Sequence, residues 1–245
     1  MTNSFVIIVP ARAGSTRLPN KPMAMINGRT VISRVIDLAN TSNASNIYIA
    51  TDSGEIKDHC ESYGANVVMT SSDHISGMDR IAEAAKKLDL PNDVPIINLQ
   101  GDEPFMPVQI INQLPMLLSI DTPISTACIK FSNKMDLNSP HEVKVVRSIS
   151  KKALYFSRAV IPNSFTAEYK NYLKHLGIYA YTNDTLQALS KLKPTANEEL
   201  EKLEQLRFLD NGFNIIVEDF EYEAPIGIDT PEDLEAATIF AKQND

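Results

Sequence analysis

VIIVPARAGSTRLPNKP, residues 6–22, decides how the rest of the chain is read. It opens with an unbroken apolar run and then gathers Arg12, Arg17 and Lys21 around Gly14 and two prolines. An apolar run that does not alternate fits a strand covered on both faces. Similar β-rich runs recur at Ile47–Thr51, Ala65–Met69 and Pro95–Leu99, so the first is taken as Phe5–Pro10. Helical patterns separate them at Thr30–Asn40, Gly54–Tyr63 and Asp79–Leu90. Strand alternating with helix implies a parallel sheet joined by crossover helices, here a three-layer α/β/α fold of Rossmann-like type.

Beyond about residue 120 the rhythm changes. Ser125–Phe131, Val143–Ser148, Leu176–Tyr181 and Phe213–Val217 read as strands with longer gaps, and one helix is expected over Asn197–Asp210. A last helix starts near Pro231, where Thr230 can cap, Pro231 suits the first helical position and Glu232-Asp233 suit the positive end. No repeat, low-complexity tract or linker stands out. The expectation is a single domain over 1–245 with a small mixed lobe at 125–182.

The apolar fraction of 43% supports a sizeable core, and 23 basic against 31 acidic residues leave a formal charge of −8. A nucleic-acid binder shows a basic footprint, so none is expected here, and the opening cations must serve a local purpose. Two cysteines, Cys60 and Cys128, lie far apart and outside any CxxC pair, which argues against a disulfide framework or thiolate metal site. No segment is long enough to span a membrane. A soluble cytoplasmic protein is expected.

In a parallel α/β sheet, ligands sit beyond the carboxyl ends of the strands. Val6–Val9 runs straight into Ala11-Arg12-Ala13-Gly14, where Gly14 permits close backbone approach. Arg12, Arg17 and Lys21 could neutralise a polyanion the size of a triphosphate, or could be ordinary solvated cations. The stretch is neither a Walker loop nor a dinucleotide fingerprint, because both spacings are absent. The strand ending in Gly101-Asp102 places a carboxylate at the same sheet edge, as Mg²⁺ coordination would use, although a lone Gly-Asp is more often a turn. Asp229 could be a second carboxylate for that ion or a helix-start residue. In a strand, His175, Gly177 and Tyr179 share a face, two rings flanking a bare floor that could seat a polyhydroxylated ligand. On the predicted 197–210 helix, Arg207 falls inside the apolar stripe and needs a partner, for which Glu204 is the candidate.

Set side by side, these stretches resemble the 3-deoxy-manno-octulosonate (Kdo) cytidylyltransferase family. The matching blocks are PARAGSTRLPNKP, VMTSSDHISGMDR, INLQGDEP, ALYFSRAVIP, KHLGIYAY, LEKLEQLR and GIDTPEDLE, in order along nearly the whole chain. The resemblance implies a nucleotidyltransferase that moves CMP from CTP to the anomeric hydroxyl of Kdo. Its product would feed lipopolysaccharide or capsule synthesis. It implies that Arg12 and Lys21, helped by Arg17, hold the triphosphate, and that Ala11, Ser76, Gly77, Arg80 and Gln100 line the nucleotide side. Asp102 and Asp229 would hold Mg²⁺. Gln100, Arg158, His175, Tyr179, Glu204 and Gln205 would face the sugar acid, with Arg158 the leading partner for its carboxylate. The family is homodimeric, the smaller lobe contributing to the contact.

Three positions depart from the family pattern. Asn20 replaces a glycine, and asparagine tolerates the left-handed backbone. Met78 replaces a threonine, which is expected to remove a hydroxyl near the nucleotide. Ser139-Pro140-His141-Glu142 replaces an Asn-Pro-Asn run. These leave room for an 8-amino analogue of Kdo as substrate. A sialic-acid cytidylyltransferase and a non-catalytic nucleotide sensor are the other readings.

Overall fold

The computed structural model describes residues 4–14, 18–74, 76–165 and 171–245. The chain forms two compact units, residues 1–112 with 225–245, and residues 113–224. The second encloses the stretch 125–182.

In the first unit β1 (Val6–Ala11) is the strand that leads into the opening loop. A small hairpin of β2 (Met25–Ile26) and β3 (Arg29–Thr30) follows. Then come α1 (Val31–Asn40), β4 (Asn46–Thr51), α2 (Gly54–Ser62), β5 (Asn66–Met69), α3 (Gly77–Lys87) and β6 (Pro95–Asn98). Helix α4 (Val108–Gln113) ends this run. The strands lie in the order β6-β1-β4-β5, every pair parallel, with Val6 opposite Asn46 and Ile96. Ile7, Ile8 and Val9 are completely buried, as strands covered on both faces require. The α/β class with a parallel sheet is the one expected.

The three longer helices of this run start where a side chain can accept an orphan backbone N–H. Thr30 caps α1, Ser53 caps α2 and Ser76 caps α3. Helix α3 begins two residues before the expected Asp79, because Ser76 accepts from the Asp79 N–H at 3.1 Å.

The second unit contains β7 (Ile124–Lys130), α5 (Lys134–Asn138), β8 (Lys144–Arg147), β9 (Ala153–Ser157) and β10 (Leu173–Thr182). It continues with α6 (Asn183–Leu189), α7 (Ala196–Glu201), α8 (Gln205–Asp210) and β11 (Ile215–Phe220). Strand β7 pairs parallel with β11 and antiparallel with β10, while β8 pairs antiparallel with both β10 and β9. Strands β9 and the longer β10 go beyond the expected set.

The single helix expected over Asn197–Asp210 is two short ones. Lys202 takes a left-handed conformation (φ 55°) and its N–H bonds Glu198 O, which ends α7. The break resets the helical phase, so the face assigned to Arg207 from an unbroken helix does not apply. Leu200 is exposed, and Arg207 is buried with Glu198 as its partner.

The chain returns to the first unit with α9 (Pro231–Asn244). Its Ala237 and Ala241 pack with Ile26, Val31 and Ile228 into one buried cluster.

Candidate active site

The opening loop, the β5–α3 turn, the loop after β6 and the start of α9 line one cavity of about 430 Å³ in the first unit. Its walls include Ala11, Arg12, Lys21, Ser76, Gly77, Arg80, Gln100, Asp102 and Asp229. The nucleotide and metal residues expected from the sequence are therefore gathered at one place. Arg17 lies outside the described residues.

One backbone hydrogen bond brings the distant aspartates together. The Ile228 N–H donates to Asp102 O at 2.9 Å, which ties the segment before α9 to the loop after β6. The approach is close on the β1 side as well, since a Cβ at Gly101 would stand 2.7 Å from Pro10 O. Only glycine fits there without moving strand β1. Asp229 sits one residue before the α9 cap. The Thr230 and Asp229 N–H groups both donate to Asp233 Oδ2, at 2.8 and 3.0 Å, and Thr230 Oγ1 accepts from the Asp233 N–H. Asp229 is thus both a helix-start residue and a neighbour of Asp102.

Lys21 joins the two carboxylates. Its Nζ donates to Asp102 Oδ2 and, at 3.0 Å, to Asp229 Oδ1. The lysine occupies a short helical turn, Lys21–Met23, entered through Asn20 in the left-handed region (φ 51°), as that residue type allows. Burial alone would lower the Lys21 pKa, but Asp102 and then Asp229 more than offset it and leave it raised. The amine is a firm cation between two anions.

The donor set suits a hard cation. Two carboxylates supply oxygen ligands only, and Mg²⁺ is commonly held by one or two carboxylates with water and substrate phosphate completing its shell. No group of three or more His, Cys, Asp or Glu that could hold a metal occurs among the described residues.

Other expected residues have structural partners. Arg80 is buried and bonds Thr70 Oγ1 at 2.6 Å and Asp52 Oδ2 at 2.9 Å, pinning the β5–α3 turn to the end of β4. Gln100 Nε2 donates to Asn98 Oδ1 at 2.8 Å. Met78 is buried, so its side chain belongs to the core and the loss of a hydroxyl expected at the nucleotide does not arise from it. His74, to which the sequence reading assigned no role, lines the cavity. Its Nε2 meets Glu83 Oε2, which also accepts the Ser71 N–H at 2.9 Å. Burial would raise the Glu83 pKa, but Lys87, Ser71 and His74 hold it down to about 2. The signal was an His–Glu pair nine residues apart across a turn and a helix, which no local periodicity reveals.

The second unit holds the residues expected at the sugar acid. His175 is buried, its ring 5.5 Å from that of Tyr179, although β10 bulges between Leu176 and Tyr179. His175 Nε2 lies 3.0 Å from Thr126 Oγ1, whose hydroxyl also donates to Ile178 O at 2.7 Å. Burial pushes the His175 pKa down to about 3. Burial, with Glu204 and Tyr181, pushes Tyr179 well above its usual value.

Arg158 is engaged by backbone. Its Nε donates to Glu201 O at 2.8 Å, Nη1 to Pro140 O at 2.9 Å and Nη2 to Lys202 O at 3.3 Å. The fork expected for a sugar carboxylate is here bonded to three carbonyls. Arg207 pairs with Glu198, Nε to Oε2 at 2.7 Å, while Glu204 stands 4.0 Å away. The Glu204–Arg207 pair expected from sequence is present at 4.0 Å, and Glu198 is the closer partner because the break at Lys202 sets α7 beside α8. Gln205 is buried at the start of α8.

A parallel α/β sheet with cations and two carboxylates gathered beside its strand ends defines the class: a nucleotide-handling enzyme of the transferase kind. The cytidylyltransferase family profile matches residues 6–220. The 3-deoxy-manno-octulosonate cytidylyltransferase of Polynucleobacter necessarius is 44% identical over 236 residues, 94% of this chain and 93% of that protein. Its counterpart in Francisella tularensis subsp. holarctica is 44% identical over 237 residues, 94% of this chain and 95% of that one. A CMP:2-keto-3-deoxy-manno-octonic acid synthetase solved in complex with CTP superposes with a TM-score of 0.91 at 37% identity, covering 99% of both chains. A cytidylyltransferase from Leptospira borgpetersenii, at 17% identity and a TM-score of 0.64 over 97% of this chain and 86% of its own, shares the fold. The chain belongs to the 3-deoxy-manno-octulosonate cytidylyltransferase family.

Proposed function

We propose that this protein transfers CMP from CTP to the anomeric hydroxyl of Kdo, releasing pyrophosphate and giving CMP-Kdo for lipopolysaccharide or capsule synthesis. The hydroxyl oxygen bonds to the α-phosphorus as the bond to the bridging oxygen of pyrophosphate breaks, and the hydroxyl proton passes to solvent. The observation that carries this reading is the meeting of Lys21, Asp102 and Asp229 at the cavity beside β1 and β6.

Little covalent chemistry falls to the protein in such a transfer, so its residues place the reactants and balance charge. Arg12 and Lys21, with Arg17, hold the triphosphate and offset the charge that grows on the departing pyrophosphate. Ala11, Ser76, Gly77 and Gln100 form the nucleotide wall, and Arg80 keeps that wall in place. Asp102 and Asp229 would hold Mg²⁺, which when bound polarises phosphate oxygen and adds positive charge. His175, Tyr179, Glu204, Gln205 and Arg158 are retained as the sugar-acid residues, with Arg158 acting through the backbone it organises.

A homodimer and a cytoplasmic location complete the reading. No helix among the described residues is long and apolar enough to cross a membrane.

The test is pyrophosphate release with CTP, Mg²⁺ and, in parallel, Kdo, its 8-amino analogue and sialic acid. Turnover is expected with Kdo. Faster turnover with either of the others would reassign the substrate. Tight CTP binding with no release for any sugar acid would mark a nucleotide sensor instead.

A further inference from the structure

We infer that Lys21 is an internal counter-ion that competes with the divalent cation for the Asp102–Asp229 pair, so that the triphosphate, by drawing the amine away, makes the metal site. This rests on the assignment of those carboxylates above. It adds that nucleotide and metal bind as a coupled pair through one lysine.

The geometry carries it. Lys21 Nζ bonds an oxygen of each carboxylate, donating to Asp102 Oδ2 and to Asp229 Oδ1 at 3.0 Å. A metal on either of those oxygens would stand no more than about 5 Å from the ammonium, since Mg²⁺ sits about 2 Å from its ligands. The two cations repel at that range, and the site is partly shielded from water, with the Lys21 side chain only 14% exposed. Charge counting points the same way. Two carboxylates and one ammonium sum to one negative charge, whereas the carboxylates alone match a divalent ion.

The main chain at Lys21 cannot move aside easily. It lies in the Lys21–Met23 turn, followed by the buried Pro22. The four-carbon side chain can swing, and Lys21 lines the same cavity as Arg12, Ser76 and Gly77. A triphosphate there offers the amine a denser anion than the aspartates do. Linkage then requires that nucleotide tighten metal binding by the factor with which metal tightens nucleotide binding.

The test uses Mn²⁺ as probe, followed by electron paramagnetic resonance on the full chain without nucleotide, which removes any contribution from metal–CTP complexes. Lys21→Met is expected to bind Mn²⁺ about tenfold or more tightly than the wild type, within the usual range of such couplings. Adding Asp102→Asn to Lys21→Met should erase that gain. Equal or weaker binding by Lys21→Met, no Mn²⁺ bound by either protein, or a gain that survives Asp102→Asn would each overturn the inference. Should Lys21→Met not fold, the wild type supplies the second measurement. The Lys21 side-chain amine signal in NMR should shift as Mg²⁺ is titrated in, and an unchanged signal at high Mg²⁺ would overturn the exchange. Wild-type turnover with CTP and Kdo tests the functional reading separately. That reading can hold while the exchange fails.

Discussion

Lys21 in the first unit and Arg158 in the second are both cations expected to meet an anion, and their partners differ in kind. Lys21 bonds two carboxylates at the wall of a cavity. Arg158 bonds three main-chain carbonyls. Other cations of the second unit are enclosed as well. Lys144 is completely buried and donates to Ser139 O at 2.6 Å and Arg158 O at 2.9 Å, and burial lowers its pKa. Arg207 is closed against Glu198. A cation held by carbonyls shapes the backbone around it. One held by half-buried carboxylates at a cavity wall keeps partners that a ligand can replace. Basic residues in this sequence therefore cannot be ranked for function by type alone.

The comparison would break first at Asp102. Asp102→Asn preserves shape and removes one charge, and Mg²⁺-dependent pyrophosphate release should fall by more than about a hundredfold. Normal turnover at low Mg²⁺ would remove the metal assignment. Next comes the second unit's closed pair. Arg207→Met leaves the half-buried Glu198 without its closer partner and should cost about 3 kcal/mol, the lower end of the range for broken buried pairs, in urea denaturation. A midpoint equal to that of the wild type would show that the pair is not structural.

Arg12 is exposed and lines the cavity, so Arg12→Ala should act on rate rather than stability. It should raise the barrier by about 2.7–4 kcal/mol, measured as kcat, with the unfolding midpoint unchanged. A pH-dependent effect concerns His175, whose folded pKa of about 3 lies below the ordinary histidine value near 6.5. As pH falls through that interval the unfolded chain takes up the proton first. Stability is full above about pH 6.5 and declines by at most about 1.4 kcal/mol per pH unit toward pH 3. His175→Gln, which keeps an N–H donor, should flatten that part of the stability–pH curve. An unchanged slope would mean that His175 does not titrate as a buried ring.

Much of the fold is written locally. Continuous β-branched runs marked β1, β4, β5 and β6 to within two residues, and Thr30 and Thr230 announced their helices. The strand ends in turn named the cavity residues Arg12, Lys21 and Asp102, because parallel sheets present ligands there. The break at Lys202 was not legible, since LEKLEQLR suits an unbroken helix and only a left-handed residue divides it. His74 escaped because its partner, Glu83, lies across a turn.

The chain's order of apolar runs, caps and motif blocks by itself determined the parallel α/β class and the family, because short-range periodicity and capping act between near neighbours. Tertiary structure alone decided that Asp229 stands beside Asp102. That pairing depends on a hydrogen bond from Ile228 to a carbonyl more than a hundred residues earlier. It also decided which cations face an exchangeable anion and which are consumed by the main chain. Charge is a property of the residue, whereas its compensation depends on what the fold brings within about 3 Å of it.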